Sequence, residues 1–265
     1  MKPAQPNQSL IDGLACLQVL TATAKPVGSR ELGRMLGLEP TRVNRLLSTL
    51  AYVGLAQQDS QRKYSPGPGI HVLAAQSMRG SGLFRRALDP LEGLLDLDLQ
   101  VAIGVLWGDR VCYLYHLSPG ESPGQGLGRG PSYPAARSGL GQALLAELSD
   151  DRVRDIYEPS DHEGRTVLPP PTPVQLNGRG ALLPVLGRVR KQGYALTHTP
   201  EAPPGLRTLG IVLPGARDVA IGVAGRVEDG HVARLLKRLR ATAEAIDLAE
   251  GAAPLVEGPD WPAAI

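Results

Sequence analysis

The feature that most constrains this chain is the stretch Ser29 to Val53, SRELGRMLGLEPTRVNRLLSTLAYV. Leu32 and Leu36 sit four apart and share a helix face. Ser29 is placed as the N-cap, with Glu31 in the first turn. Gly37 supplies a turn, and Pro40 suits the first position of a second helix, where it has no amide to lose. Val43, Leu46, Leu47 and Leu50 then repeat at helical spacing. They leave Thr41, Arg42, Asn44, Arg45 and Ser48 facing away. A helix with a buried apolar stripe and an exposed face of this composition is built to enter a DNA major groove. Arginine pairs there with guanine, asparagine with adenine, and serine or threonine with bases or phosphates. On an ordinary helical hairpin the same face would be merely solvated, so its surroundings decide.

Upstream, Leu10, Leu14, Leu17 and Leu20 mark an earlier amphipathic helix with Ser9 as its cap, able to close a three-helix core. Downstream, Leu55 to Gln58 and Arg62 to Ser65 flank the turn Asp59-Ser60-Gln61. That is a short hairpin with Arg62 and Lys63 near its tip. Three helices followed by a basic hairpin make a winged helix-turn-helix, whose wing contacts phosphates or a minor groove. The candidate DNA contacts are Ser29, Thr41, Arg42, Asn44, Arg45, Ser48, Arg62 and Lys63.

Charge supports one DNA-binding end rather than a basic coat. The 265 residues carry a formal charge of only +2. Residues 1–68 hold eight Lys and Arg against four Asp and Glu, a basic head on a near-neutral body. Cys16 and Cys112 lie in apolar stretches of different expected domains, which points to buried free thiols and a reducing cytoplasm. No apolar run approaches the ~20 residues that cross a bilayer, and no secretory signal opens the chain. The expectation is a soluble cytoplasmic protein with no membrane association.

The winged domain is expected over residues 1–68, punctuated by Pro66-Gly67-Pro68-Gly69. A connecting helix follows over 69–81, carrying Ile70, Leu73, Ala74 and Met78 and broken near Gly80-Ser81-Gly82. The larger domain, 82–250, opens on a helix with Leu83, Leu88, Leu91 and Leu95. Gln100–Trp107 and Arg110–Leu117 then form a hairpin around Gly108-Asp109. Helices are expected over 139–148, 150–157, 180–191 and 231–250, and strands over 194–198, 206–213 and 219–226. Loops span 118–131 and 158–178, the second held irregular by Pro169-Pro170-Pro171. Residues 251–265 form a Pro- and Ala-rich tail. The fold class is α+β, an antiparallel sheet with helices behind an N-terminal winged helix-turn-helix.

Other chemistry is weak. Cys112 and His116 lie four apart on a strand and so share a face, but no further metal-ligand spacing accompanies them. Gly126-Leu127-Gly128-Arg129-Gly130 does not sit between a strand and a helix, and reads as a mobile loop over a pocket. Ser138 precedes a glycine without a nucleophile elbow. With no catalytic constellation, the chain reads as a non-enzyme without cofactor or metal.

Six segments in register carry a family resemblance: SRELGRMLGLEPTRVNRLLSTLAYVGLAQ, the wing ending in KYSPGPGI, SGLGQALLAEL at 138–148, RKQGYAL at 190–196, GLRTLGIVLPG at 205–215 and AIGVAGRV at 220–227. Together they resemble the isocitrate-lyase-regulator (IclR) family of bacterial transcription factors. The resemblance implies a winged helix-turn-helix, a connecting helix and a GAF-like effector-binding domain. It implies homodimers or dimers of dimers on double-stranded operator DNA, typically repressors of a catabolic operon released by an organic acid or sugar-like metabolite. The matching effector positions are Ser138, Gly139, Leu140, Thr197, Leu206, Thr208, Gly222 and Ala224. Amide groups at the start of the 139–148 helix suit an anion. Gly222, Ala224 and Thr197 stand where relatives place serines or an acid, so the pocket is expected to be roomier and less polar than one for a two-carbon acid. The alternative class is a small-molecule-binding α+β protein whose N-terminal helices mediate protein contacts.

Overall fold

The computed structural model describes residues 5, 7–23, 25–128, 132–158, 172–178, 180–198 and 205–246. The Pro169–Pro171 run, Arg129-Gly130, the last residues of the 231–250 helix and the 251–265 tail lie outside the described residues. Contacts divide the chain into two compact units, one through residue 78 and the other beginning at residue 79.

In the first unit, helix α1 spans Gln8–Ala22. Its cap is Asn7, whose side chain accepts the Leu10 amide at 3.0 Å, not the expected Ser9. The expected leucine stripe is also corrected. Leu10 and Leu14 are 62% and 44% exposed, and the inward face is Asp12, Ala15, Cys16 and Leu20. Helix α2, Ser29–Leu36, is capped by Gly28 with no side-chain hydrogen bond, so Ser29 is its first residue rather than its cap. It ends on Gly37 at φ 64°. A Cβ on Gly33 would lie 2.7 Å from the Leu38 carbonyl, so the absence of a side chain lets the turn fold back on α2. Helix α3, Pro40–Tyr52, has Pro40 in its first turn and fully buries Val43 and Leu47. These pack with Cys16, Leu20, Val27, Leu32, Leu38, Ala56 and Tyr64 into one core.

Strands β1, Ala56–Gln58, and β2, Tyr64–Pro66, pair antiparallel with Gln58 opposite Tyr64. Both are shorter than expected, because residues 59–63 form the turn. The Asp59 carboxylate accepts the amides of Gln61 and Lys63, both at 2.9 Å, and Arg62 takes φ 60°. Helix α4, Gly69–Ser81, follows and has no buried residue.

The second unit opens with α5, Leu83–Glu92, after the break at Gly82. Strands β3, Gln100–Trp107, and β4, Arg110–Leu117, form the expected hairpin, with Gly108 at φ 59°. Then come β5 (Tyr133–Pro134), α6 (Gly139–Ala146), α7 (Asp150–Tyr157) and α8 (Leu182–Gln192). Helix α8 starts two residues later than expected and holds Pro184 in its first turn, where the missing amide costs nothing. Strands β6 (Ala195–His198), β7 (Leu206–Leu213) and β8 (Ala216–Arg226) precede α9, Val232–Ile246.

The six strands form one antiparallel sheet in the order β5-β4-β3-β8-β7-β6. One face buries Val101, Ile103, Ile211, Ile221 and Val223 against Leu91 of α5 and Leu235 and Leu239 of α9. The other buries Ala102, Val111 and Ala220 against Leu140 and Leu144 of α6. Both faces are thus covered, which accounts for the near-continuous apolar runs of β3 and β8.

A register shift interrupts the β3–β4 ladder. Ile103 faces Tyr115, yet Gly104 faces Tyr113, so Leu114 is an extra residue. The bulge reverses the alternation on β4. Tyr113, opposite Gly104, and His116, opposite Ala102, come to the α6 side, while Cys112, opposite Val105, is on the α5/α9 side. Cys112 and His116 therefore do not share a face, which corrects the expectation from their spacing.

Candidate functional sites

The first site is the outer face of α3. Thr41, Asn44, Arg45 and Ser48 are exposed there, as are Arg62 and Lys63 at the hairpin tip. Ser29 is half-buried at the start of α2. Arg42 is half-exposed and tied inward, with its Nη2 2.6 Å from Oδ2 of the buried Asp12 on α1. Asp12 Oδ1 accepts Nε2 of Gln8 at 2.7 Å. An aspartate buried beneath a recognition-type helix is thus paired in charge with that helix and hydrogen-bonded by its own. The hydroxyl of Tyr64, on β2, lies 3.2 Å from Ser48 Oγ and donates to Asn44 Oδ1 at 3.4 Å. Tyr64 is itself buried in the core. The hairpin and the α3 face are therefore mechanically joined through two of the candidate residues. The sequence reading missed Asp12 and Tyr64; an acidic residue at an inward helical position was the available signal.

The second site is a cavity of about 510 Å³ in the sheet unit. Of the expected residues, Ser138, Leu140, Leu206, Thr208, Gly222 and Ala224 line it, and Gly139 and Thr197 do not. Gly139 acts from behind, its N–H donating to Thr208 Oγ1 at 2.8 Å. Thr197 Oγ1 accepts Nε2 of Gln142 at 3.5 Å. The expected free amides at the start of α6 are partly taken, since the Gly141 N–H also donates to Ser138 Oγ at 3.4 Å.

Close packing of glycines brings α6 onto the sheet. A Cβ on Gly139 would lie 2.8 Å from the Thr208 carbonyl, and one on Gly210 would lie 2.6 Å from the Gly139 carbonyl carbon. Gly222 leaves no open space, because Leu140 Cδ1 sits 2.5 Å from where its Cβ would be. The small residue on β8 is matched by a leucine on α6. Ala224 does face the cavity.

The bulge in β4 adds what the sequence reading lacked. Tyr113 and His116 both reach the cavity, their rings 5.4 Å apart and inclined at 39°. The Tyr113 hydroxyl lies 3.3 Å from Ser138 Oγ. Burial pushes the Tyr113 phenol up, and the Ser138 hydrogen bond opposes that shift. Asp98, Gln100, Tyr133, Arg137 and Arg207 are also in the wall. Arg207 is held by Asp229 at 2.5 Å and the Val227 carbonyl at 3.1 Å. Aromatic rings, hydroxyls and guanidinium groups around an apolar floor can hold a small organic molecule and orient its polar end. The glycine-rich segment is pinned in its described part: Leu127 bridges Tyr115, and a Cβ on Gly126 would strike the Tyr115 ring at 2.6 Å.

Comparison with known proteins matches both units. Residues 9–60 match the IclR helix-turn-helix domain, and residues 75–248 match the bacterial transcriptional regulator IclR C-terminal domain. The HTH-type transcriptional regulator BhcR of Paracoccus denitrificans is 31% identical over 241 residues, which is 89% of this chain and 84% of that protein. An IclR family regulator from Brucella abortus superposes with a TM-score of 0.69 at 20% identity, covering 93% of each chain. An IclR homologue from Microbacterium hydrocarbonoxydans, complexed with 4-hydroxybenzoate, gives 0.61 at 18% identity, covering 90% of this chain and 97% of that one. The helix-turn-helix head, the sheet unit with its cavity and these matches across the chain lead to one conclusion: the protein belongs to the IclR family of transcriptional regulators, and is a DNA-binding regulator with a C-terminal effector domain.

Proposed function

We propose that this regulator is a sequence-specific repressor of a catabolic operon, acting in the cytoplasm as a homodimer and released by a small organic metabolite. The head, residues 1–68, reads operator DNA. Thr41, Asn44 and Arg45 meet base edges, Ser29, Arg62 and Lys63 lie toward the backbone, and Ser48 is tied to Tyr64 beneath them. Arg42 divides its guanidinium between the DNA side and Asp12. The observation that carries this reading is the exposed polar face of α3 over a closed apolar core. The residue 69–81 helix connects the head to the effector domain over 82–250. Its bare apolar side chains, Val72 and Leu73 among them, support a dimer contact there.

The effector is an organic acid or sugar-like metabolite in the cavity beside α6. Arg137 and Arg207 favour an anion, and Tyr113, His116 and Tyr133 favour a flat or apolar body. The 4-hydroxybenzoate held by the Microbacterium homologue has that character. Ligand and DNA binding are coupled by about 1–3 kcal/mol. The reading includes no enzymatic activity.

A thermal-shift screen of organic acids and sugars, followed by gel shifts on the DNA upstream of the gene, tests this. A compound that raises the melting temperature and releases the DNA is expected. A compound that stabilises the protein yet leaves DNA affinity unchanged contradicts an effector role for the cavity.

A further inference from the structure

The buried tyrosine of the wing does more than fill the core of the head. Tyr64 has one hydroxyl proton, and it is donated to Asn44 Oδ1 at 3.4 Å. The contact with Ser48 Oγ at 3.2 Å must then run the other way, with Ser48 donating to the Tyr64 oxygen. The chain of donors is Ser48 to Tyr64 to Asn44. It ends at the Asn44 carbonyl, which is turned inward. The carboxamide is planar, so its NH₂ group points to the opposite side. Asn44 is exposed.

We infer that Tyr64 is a positioning residue for base readout: it turns Asn44 so that the helix presents a hydrogen-bond donor at position 44. This rests on the reading of α3 as the recognition helix. The consequence differs from the usual pairing of asparagine with adenine. That pairing needs the carboxamide oxygen to accept from adenine N6 while the nitrogen donates to N7. With the oxygen drawn toward Tyr64 and away from the groove, the NH₂ donor is the group left for the bases, and it suits guanine, whose O6 and N7 are adjacent acceptors, better than adenine, whose N6 is itself a donor. Tyr64 touches no base itself, because its ring is among the fully buried side chains.

The test is selection of a randomised DNA duplex library by the full-length protein and its N44A, R45A and Y64F variants. N44A maps the base pair that Asn44 reads, as the position whose preference flattens. At that position the wild type is expected to select guanine over adenine by about tenfold. Y64F keeps the ring in the core but frees the carboxamide, so adenine should be accepted at least as well as guanine. Its melting temperature and the preferences at all other positions should stay close to wild type, which a purely structural role for the hydroxyl would not produce. Adenine preferred by the wild type, or a preference unchanged in Y64F, overturns the inference while leaving the recognition helix in place. If neither N44A nor R45A flattens any position, the recognition-helix reading fails and the inference with it.

Discussion

Arg42 Nη2 lies 2.6 Å from Asp12 Oδ2, an ion pair that joins the first turn of α3 to the buried face of α1. The two ends are unequally placed, since the Asp12 side chain is 3% exposed and that of Arg42 39%. Removing the arginine strands a carboxylate in the core, whereas removing the aspartate leaves a guanidinium that water can reach. Arg42→Ala should therefore cost the head about 2–4 kcal/mol and Asp12→Ala about half of that. Amide hydrogen exchange across α1 and α3 reads the difference. Equal losses, or a larger loss for Asp12→Ala, would show that the pair is not the tie described.

Cys16 sits behind the same pair, fully buried, and its thiol is pushed up to about 11, first by burial and second by the charge of Asp12. The unfolded chain ionises near the ordinary 9.0, while the folded chain holds its proton. Stability from this group is present below pH 9 and is lost as pH rises from about 9 to about 11, on the order of 2 kcal/mol. Unfolding midpoints measured across that range should fall for the wild type. Cys16→Ala should be less stable overall and show a shallower fall. A parallel decline in both proteins would assign the alkaline instability to other groups.

The cavity gives a sharper test than the glycine beside it. Ala224 faces open volume, so Ala224→Leu should fill it and abolish the effector response with unliganded DNA binding near normal. Gly222→Ala meets Leu140 and the Leu209 carbonyl, and should instead lower stability by about 1–3 kcal/mol. Thermal melts with and without the effector separate the two outcomes. An Ala224→Leu variant that still responds at wild-type concentrations would place the effector elsewhere.

Helix α4 buries nothing, yet Val72 and Leu73 are both more than half exposed. A charge on that face should disrupt a dimer built there. Light scattering at micromolar concentration is expected to give a dimer or larger for the wild type and a smaller species for Leu73→Glu. An unchanged mass would move the contact off this helix.

Where local chemistry decides, the sequence was readable. Gly37 and Gly108 take positive φ at the turns that called for them, and Pro40 opens α3 where a missing amide is harmless. The β3–β4 hairpin has the expected limits for the same reason. Where a distant partner decides, it was not. Asp12 sits in the core with its charge met by Arg42, thirty residues on, and α1 turns so that Leu10 and Leu14 face out. The bulge at Leu114 brings Tyr113 and His116 to one face of β4, against their spacing of three. Gly222 suggested open space until Leu140 of another element was seen to occupy it. At the head, the polar α3 residues were legible as a set, but the orientation of Asn44 depends on Tyr64, twenty positions away.

The most direct test of the account is the equilibrium affinity of the full-length protein for the DNA upstream of its gene, measured by fluorescence anisotropy at about 50 and 200 mM salt. A dimer using Lys63 and its neighbours on phosphates should lose roughly 10³-fold or more between the two. Lys63→Ala should reduce the salt slope by about one unit per head. An affinity that does not change with salt, or no measurable binding to this DNA at either concentration, would contradict the assignment of α3 and the wing as its reading head.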